Sequence, residues 1–200
     1  WKRSGPHRKR MPSGKKQGFD MGRNGVLKEV ISWAVILVVA FVIGNCLNKY
    51  VLMKAVIPSG SMENTLQIDD KVFGLRIAYL FSEPERGDVV MFDYPDNETV
   101  LYVKRIIGLP GETVEISDGK VYIWKDETGE DKMPLSEPYL KETPTGSFGV
   151  FHVPEGHYFM LGDNRNSSWD SRKWNNKYVE KEHIQCKAWF RYKPSFGWIK

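Results

Sequence analysis

The chain has 200 residues and a formal net charge of +4 at pH 7. Residues 1–29 hold nine Lys and Arg against two acids, a net of +7, whereas the remainder holds 20 against 23, a net of −3. Because the basic character is confined to the amino-terminal tail, the charge argues against a nucleic-acid partner for the folded part. The length suits one folded domain with appendages.

An uninterrupted apolar segment follows the basic tail. The nineteen residues 30–48 carry no charge, and at about 1.5 Å per residue a helix of this length nearly crosses a hydrocarbon core of about 30 Å. A buried helix of a soluble domain would normally show a polar face, and a cleaved signal peptide would normally end in a small-residue site. We therefore predict a transmembrane helix over 30–48, with the basic tail 1–29 in the cytoplasm and a domain at 49–200 on the extracytoplasmic face.

From residue 72 onward the sequence is typical of short β strands separated by turns. Asp118-Gly119 predicts a tight hairpin, and there is no long amphipathic helix in this part. The pattern predicts a mainly β, antiparallel domain. Residues 125–148, which are charged and contain three prolines, predict a variable loop. The predicted strands are 72–81, 88–94, 101–108, 112–116, 120–124, 149–153, 157–161 and 186–192.

The segment IPSGSMENTL, residues 57–66, places two serines on either side of a glycine. A serine hydroxyl is a weak nucleophile at neutral pH and needs a base within hydrogen-bond reach. Histidine is the commonest base, and each histidine of the domain is, on sequence grounds, more typical of a surface or strand edge. The residues available for a Ser/His/Asp triad are His152, His157 and His183, with Asp163 and Asp170 as orienting acids.

The other candidate base is Lys104, within LYVKRIIGLPG. Alternation along a strand would place Lys104 with Tyr102 on one face, and Val103 with Arg105 on the other, without indicating which face is inward. A free lysine has a pKa of about 10.4, so only about one in 2,500 is neutral at pH 7. Burial against apolar residues can lower a lysine pKa by roughly 3 to 5 units, into the range of an effective general base.

A third segment, GDNRNSSWDSRKW at residues 162–174, concentrates Asp, Arg, Asn and Ser directly after an apolar run. By composition alone it is typical of a hydrophilic loop. The accompanying segments, in chain order, are PSGSM (58–62), RGDVVMF (86–92) and YVKRIIGLPGE (102–112). Together, behind a membrane anchor, these segments resemble the type I signal peptidases, which are membrane-anchored Ser/Lys proteases. The resemblance covers residues 30 to about 192, without the loop at 125–148.

The resemblance implies a role for each matching residue. Ser61 would be the nucleophile and Lys104 the general base. Ser59 would contribute its hydroxyl, with the backbone N–H of Ser61, to an oxyanion hole, and Ser168 would orient the lysine amine. The implied supporting network consists of Arg105, Asp163, Arg165, Asp170 and Arg172. The departures from the family pattern are Asn166, Ser167 and Asn175.

The resemblance also implies the partners. The substrates would be signal-peptide-bearing preproteins with small residues, typically Ala, at the first and third positions before the cut. Membrane lipid and a place near the protein-export translocon are implied as well, with no nucleic acid, cofactor or metal ion. Cys46 and Cys186 lack a metal-binding spacing, and we expect no structural disulfide between them.

Two alternative functions share parts of this pattern. A self-cleaving repressor-type Ser/Lys protease would carry a DNA-binding domain in place of an anchor, and the apolar run at 30–48 argues against it. A catalytically silent membrane-anchored homologue acting in surface-protein assembly would keep the fold without the chemistry. The presence of both Ser61 and Lys104 argues against this second alternative.

Overall fold

The structure is a computed structural model that describes residues 23–125 and 128–199. Most of the predicted basic tail, residues 1–22, therefore lies outside the described residues. The chain divides into two units, Trp1–Ile43 and Gly44–Lys200.

The apolar segment forms a long helix. Helix α1 spans Arg23–Cys46, and a π-helical turn follows at Leu47–Val51. The helical segment Gly25–Val51 includes an 18-residue window with a mean hydropathy of 2.5, and none of that window is buried in protein. A helix that is apolar on all sides and uncovered by protein is suited to a lipid environment, so α1 indicates a membrane anchor.

The remaining elements are almost all β strands, and every strand pair is antiparallel. The strands are β1 (Leu52–Val56), β2 (Lys71–Leu75), β3 (Val89–Tyr94), β4 (Asn97–Gly108), β5 (Thr113–Ser117), β6 (Lys120–Trp124), β7 (Met133–Pro134), β8 (Gly149–His152), β9 (His157–Leu161), β10 (Val179–Glu180), β11 (Ile184–Lys193) and β12 (Gly197–Trp198). A large sheet has the order β1-β2-β11-β3-β4-β9-β10, with β12 beside β11, and a small sheet has the order β7-β6-β5-β8. The predicted mainly β, antiparallel fold class is confirmed.

The predicted strand at 72–81 is wrong in its second half. Strand β2 ends at Leu75, and Arg76–Tyr79 forms a 3₁₀ turn. Tyr79 packs against a buried cluster of the large sheet, and its hydroxyl donates a hydrogen bond of 2.8 Å to Asp88 Oδ2. The apolar run continues past the end of the strand, but Ile77, Leu80 and Phe81 are 40%, 64% and 98% exposed, so composition alone does not mark where the strand ends.

Strand β4 carries the residues of interest. It pairs with β3 over most of its length but with β9 only from Arg105 to Gly108. Its first residues are exposed and its last residues are buried. Lys104 and Arg105, which alternation places on opposite faces, are only 4% and 2% exposed. Both faces of this end of β4 are therefore covered, which alternation in the sequence did not reveal.

Candidate active site

Ser61 lies in a short 3₁₀ turn, Gly60–Met62. Met62 is buried in a core cluster on one side of the turn. From the other side, the Asn164 backbone N–H donates to the Ser61 carbonyl oxygen (3.1 Å), and the Asn164 side-chain amide donates to the Gly60 carbonyl oxygen (3.0 Å). Because it is held from both sides, the turn fixes the position of the Ser61 side chain.

Lys104 reaches Ser61 from strand β4. Its Nζ lies 2.6 Å from Ser61 Oγ and 3.1 Å from the Val103 carbonyl oxygen. Burial lowers the pKa of Lys104 to about 8, although the carboxylates of Asp170 and Asp163 act in the opposite direction. With that pKa, about one lysine in ten is neutral at pH 7. The amine is therefore able to accept a proton from the hydroxyl beside it.

The other two serines of the predicted site lie close to this pair. Ser59 is exposed, and its Oγ lies 3.5 Å from Ser61 Oγ, longer than the usual hydroxyl hydrogen bond. Ser168 is buried, and within the described residues its Oγ has no hydrogen-bond partner. A Cβ added to Gly162 would collide with Ser168 Oγ and with the Ser61 carbonyl oxygen. Ser168 thus packs beside the Ser61 turn, and its bond to the lysine stays a prediction.

The predicted supporting residues form buried ion pairs. Arg105 donates from Nε and Nη2 to the two oxygens of Asp163, at 2.8 and 2.6 Å. Arg172 donates likewise to Asp170, at 2.7 and 2.8 Å. Bidentate pairing of this kind satisfies both charges and sets their geometry. A third buried arginine, Arg165, belongs to the same region and has a partner that the sequence did not indicate.

Several residues of the site were missed by sequence reasoning. Glu137 pairs with Arg165, and Thr65 Oγ1 donates to Asp163 Oδ2. Trp169 is 53% exposed at the candidate cleft. Trp169 is marked in the sequence as a large aromatic residue within a polar segment. Glu137 and Thr65 have no such local signal, because their partners lie far away in the sequence.

A cleft of about 570 Å³ opens at Ser61 and Lys104. Residues 57–63 line it on one side and residues 100–104 of β4 on the other. Strand β9 pairs with β4 only from Arg105 onward. Within the described residues, the part of β4 before Arg105 therefore has no neighbouring strand on that edge. An extended peptide could pair with this free edge beside the two reactive side chains.

Within the described chain, no histidine lines this cleft. His152 Nδ1 lies 3.0 Å from Thr113 Oγ1, whereas His157 and His183 face Glu180 and Glu98. Both aspartates considered for a triad are paired with arginines. The described residues therefore do not assemble a Ser/His/Asp triad around Ser61.

Two further features bear on the chemistry. Among the residues that the structure describes, there is no group of three or more His, Cys, Asp or Glu that could hold a metal ion. Cys46 and Cys186 are both free thiols, the first exposed and the second buried. Burial raises the pKa of the Cys186 thiol to about 12, which disfavours the reactive thiolate.

A serine hydroxyl in contact with a buried lysine amine, on an antiparallel β scaffold, is the arrangement of Ser/Lys hydrolases. The family model described as signal peptidase, peptidase S26, matches residues 30–193. A protein of Synechocystis sp. named "Probable signal peptidase I-2" is 38% identical over 163 residues, which are 79% of this chain and 71% of the relative. "Signal peptidase I S" of Bacillus subtilis is 33% identical over 159 residues, 78% of this chain and 85% of the relative.

A crystal structure of a signal peptidase I from Enterococcus faecalis is 35% identical to this chain. The match covers 53% of this chain and 97% of that one, with a TM-score of 0.44. On the family model and the sequence relatives, the chain belongs to the signal peptidase family, peptidase S26. The predicted family and the predicted enzyme class, a serine endopeptidase, are confirmed.

Proposed function

We propose that this protein is a membrane-anchored serine endopeptidase that removes signal peptides from exported preproteins, with Ser61 as nucleophile and Lys104 as general base. One observation carries the assignment of roles: Lys104 Nζ lies 2.6 Å from Ser61 Oγ, and the lysine is only 4% exposed. The names of the relatives, signal peptidase I, support the substrate class.

The first half of the reaction forms an acyl-enzyme. Neutral Lys104 takes the proton of the Ser61 hydroxyl while Oγ attacks the scissile carbonyl carbon. The negative charge that develops on the carbonyl oxygen needs donors aimed at it, and the Ser61 backbone N–H and the Ser59 hydroxyl are the proposed donors. The protonated lysine then gives its proton to the departing amine, which releases the mature protein and leaves the signal peptide as an ester on Ser61.

The second half of the reaction hydrolyses that ester. Lys104 is neutral again and takes a proton from a water molecule, whose oxygen attacks the ester carbonyl. Collapse of the second tetrahedral intermediate returns the proton to Ser61 Oγ and releases the signal peptide. Ser168 is the proposed orienting residue for the amine. The ion pairs Arg105–Asp163 and Arg172–Asp170 are the proposed support that holds β4 and residues 162–174 in position.

The free edge of β4 supports binding of an extended substrate. Main-chain hydrogen bonds to residues 100–103 would hold the peptide, and alternate side chains would point into the cleft. Ile57, Met62 and Val103 line the cleft beside the nucleophile, and such apolar side chains favour apolar groups over charged ones. This is compatible with the small residues, typically Ala, that the family resemblance implies at the first and third positions before the cut.

The anchor supports a site of action at the membrane. Residues 1–29 are strongly basic, and the positive-inside rule therefore supports a cytoplasmic tail and a β unit on the extracytoplasmic face. Lipid would then surround α1. If the protein also lies near the export translocon, preproteins emerging there would meet the cleft at a high effective concentration. Protease added to intact spheroplasts should digest the β unit and spare the tail, and the reverse pattern would overturn this orientation.

Cleavage of a model preprotein by the detergent-solubilised full chain tests the function. The wild-type protein should release the mature product, and Ser61→Ala should release none while keeping the wild-type unfolding temperature, because a half-buried hydroxyl adds little to the core. Ser82→Ala, at an exposed serine away from the cleft, is the matched control and should be fully active. Cleavage by Ser61→Ala at a rate near that of the wild type would eliminate Ser61 as nucleophile, and a wild type without activity would favour the catalytically silent alternative.

A further inference from the structure

The segment between strands β7 and β8, residues 135–148, lies against the loop of residues 162–174. We name them the docking segment and the polar loop. Asn166 of the polar loop accepts a hydrogen bond from the Thr145 backbone N–H (3.0 Å) and donates one to the Thr143 carbonyl oxygen (3.2 Å). The Arg172 guanidinium lies 4.7 Å from the centre of the Phe148 ring. A segment that the sequence marks only as a loop thus contacts the part of the chain that contains Ser168.

The central contact of the docking segment is an ion pair between Glu137 and Arg165. Arg165 donates from Nη1 to Glu137 Oε2 at 2.9 Å and from Nη2 to Oε1, and the side chains of Arg165 and Glu137 are 3% and 8% exposed. Burial alone would lower the pKa of Arg165, but the hydrogen bonds and charge of Glu137 outweigh burial and raise that pKa. Glu137 is therefore the group that makes a buried Arg165 cation tolerable.

Tyr139 completes this contact. Its hydroxyl donates to Glu137 Oε1 at 2.7 Å, and its ring lies 4.0 Å from the Arg105 guanidinium carbon. With the contact between Phe148 and Arg172, the docking segment thus touches all three buried arginines next to the candidate site. The ion pairs Arg105–Asp163 and Arg172–Asp170 are formed within the motif segments themselves, whereas the ion pair of Arg165 brings in a carboxylate from outside those segments.

Arg165 in turn contacts the backbone that supports the reactive serine. Its Nε donates to the Gly162 carbonyl oxygen at 3.1 Å. Gly162 packs so tightly that an added Cβ would collide with the Ser61 carbonyl oxygen and with Ser168 Oγ. Two residues further on, the Asn164 N–H donates to that same Ser61 carbonyl oxygen. A shift of Arg165 would therefore move the backbone that sets the position of Ser61.

We propose that Glu137 is a positioning residue for this peptidase: by compensating the buried charge of Arg165 it holds the polar loop in place and so keeps Ser61 aligned with Lys104. The inference rests on the proposed function and adds to it a residue outside the segments that carry the family resemblance. It assigns the segment 135–148 a part in catalysis although none of its residues touches the reacting atoms.

The test compares Glu137→Gln with a matched control, Glu115→Gln, in the full-length protein. Glu115, in β5, is also in an ion pair, with Lys132 just before β7, but its side chain is 24% exposed and this pair lies outside the polar loop. At a temperature where all variants are folded, Glu137→Gln should lower kcat about 10- to 100-fold with little change in KM, as a small misplacement of reacting groups does. Glu115→Gln should keep both constants.

A second variant keeps the test informative if Glu137→Gln does not fold. Tyr139→Phe removes only the hydroxyl that donates to Glu137 and keeps the ring against Arg105, so kcat should fall in the same direction by a smaller factor. A merely structural role would lower the unfolding temperature of these variants and leave kcat at the wild-type value. That result would overturn the inference.

Hydrogen exchange separates this inference from the proposed function, because it needs no activity. The backbone amides of Gly162 and Asn164 should exchange faster in Glu137→Gln than in the wild type, and at wild-type rates in Glu115→Gln. Unchanged exchange at both amides in folded Glu137→Gln would contradict the inference. If the wild-type protein cleaved no preprotein, the proposed function would fail, whereas faster exchange at these amides would still support the hold of Glu137 on the polar loop.

Discussion

Two clefts of similar volume lie on the β unit, one of about 570 Å³ at Ser61 and Lys104, and one of about 470 Å³ that contains His157 and His183. The second, which we name the histidine cleft, also contains Glu98 and Glu180. By residue type alone the histidine cleft is the more obvious place for acid–base chemistry, because histidine is the commonest general base.

The two clefts differ in burial and in what each base faces. In the histidine cleft the histidine–glutamate distances are 3.6 and 3.7 Å, and all four side chains are at least 30% exposed, so water weakens these pairs. In the other cleft Lys104 is 4% exposed, and its Nζ lies 2.6 Å from the Ser61 hydroxyl oxygen. A titratable residue becomes a candidate catalyst when it is buried and in contact with a nucleophile. We therefore expect the cleft at Ser61 and Lys104, and not the histidine cleft, to carry the reaction.

The largest expected effect is that of Lys104→Met, which should abolish cleavage and at the same time stabilise the protein at pH 7. Because the pKa of Lys104 is about 8 when folded, against 10.5 ordinarily, the unfolded chain binds more protons, and folding of the wild type is opposed by about 3 kcal/mol below pH 8. The stability of the wild type should then rise with pH from about 8 to 10.5, and the advantage of the variant should shrink over that range.

Thermal unfolding in detergent at pH 7 and pH 10.5 measures this difference. Lys181→Met, at an exposed lysine paired with Glu83, is the matched control and should change stability little at either pH. An inactive Lys104→Met that is less stable than the wild type at pH 7 would mean that the folded protein stabilises the charged lysine. The account in which burial lowers the pKa of Lys104 would then be wrong, even though activity was lost.

A smaller effect is expected from Ser59→Ala. If the Ser59 hydroxyl donates to the oxyanion, its loss should lower kcat about 100- to 1,000-fold and leave KM nearly unchanged, since the bond is made mainly when charge develops. Steady-state kinetics on a model preprotein give both constants. An effect confined to KM would reassign Ser59 to substrate binding.

The smallest effect is expected at the three histidines of the β unit. Replacing His152, His157 and His183 together by Gln should leave kcat/KM within about twofold of the wild type, because surface substitutions away from a site rarely matter. Single variants, checked for folding, identify any residue responsible for a loss. A large loss at one histidine alone would restore the Ser/His/Asp hypothesis.

Local patterns were sufficient to predict most of the β fold. Strands β3, β5, β6 and β9 lie within one or two residues of the predicted segments, because their apolar and β-branched residues alternate with clear turns. The short strands β7, β10 and β12 have two residues each and exist only through their tertiary partners. Strand β1 was missed because it directly follows the apolar anchor, whose composition hides a change of structure.

The residues of the candidate site also differ in whether local sequence patterns could predict them. Ser61 and Lys104 could be named from motif segments, since each is marked by its immediate neighbours. The burial of both Lys104 and Arg105 could not, because alternation assigns one face to the core and the other to solvent. Glu137 lies 28 positions from Arg165, in a segment without periodicity, so only the folded chain shows that they form a pair.

The central claim is that a buried, neutral Lys104 activates Ser61, and the pH dependence of kcat/KM on a model preprotein tests it most directly. This parameter reports the ionisation of the free enzyme. We expect kcat/KM to rise with pH through an apparent pKa of about 8, the value that burial gives to Lys104, and to show the same rise in the variant without the three histidines. A rise near pH 10, typical of a solvated lysine, or a rise near pH 6.5 that disappears with the histidines, would contradict the account.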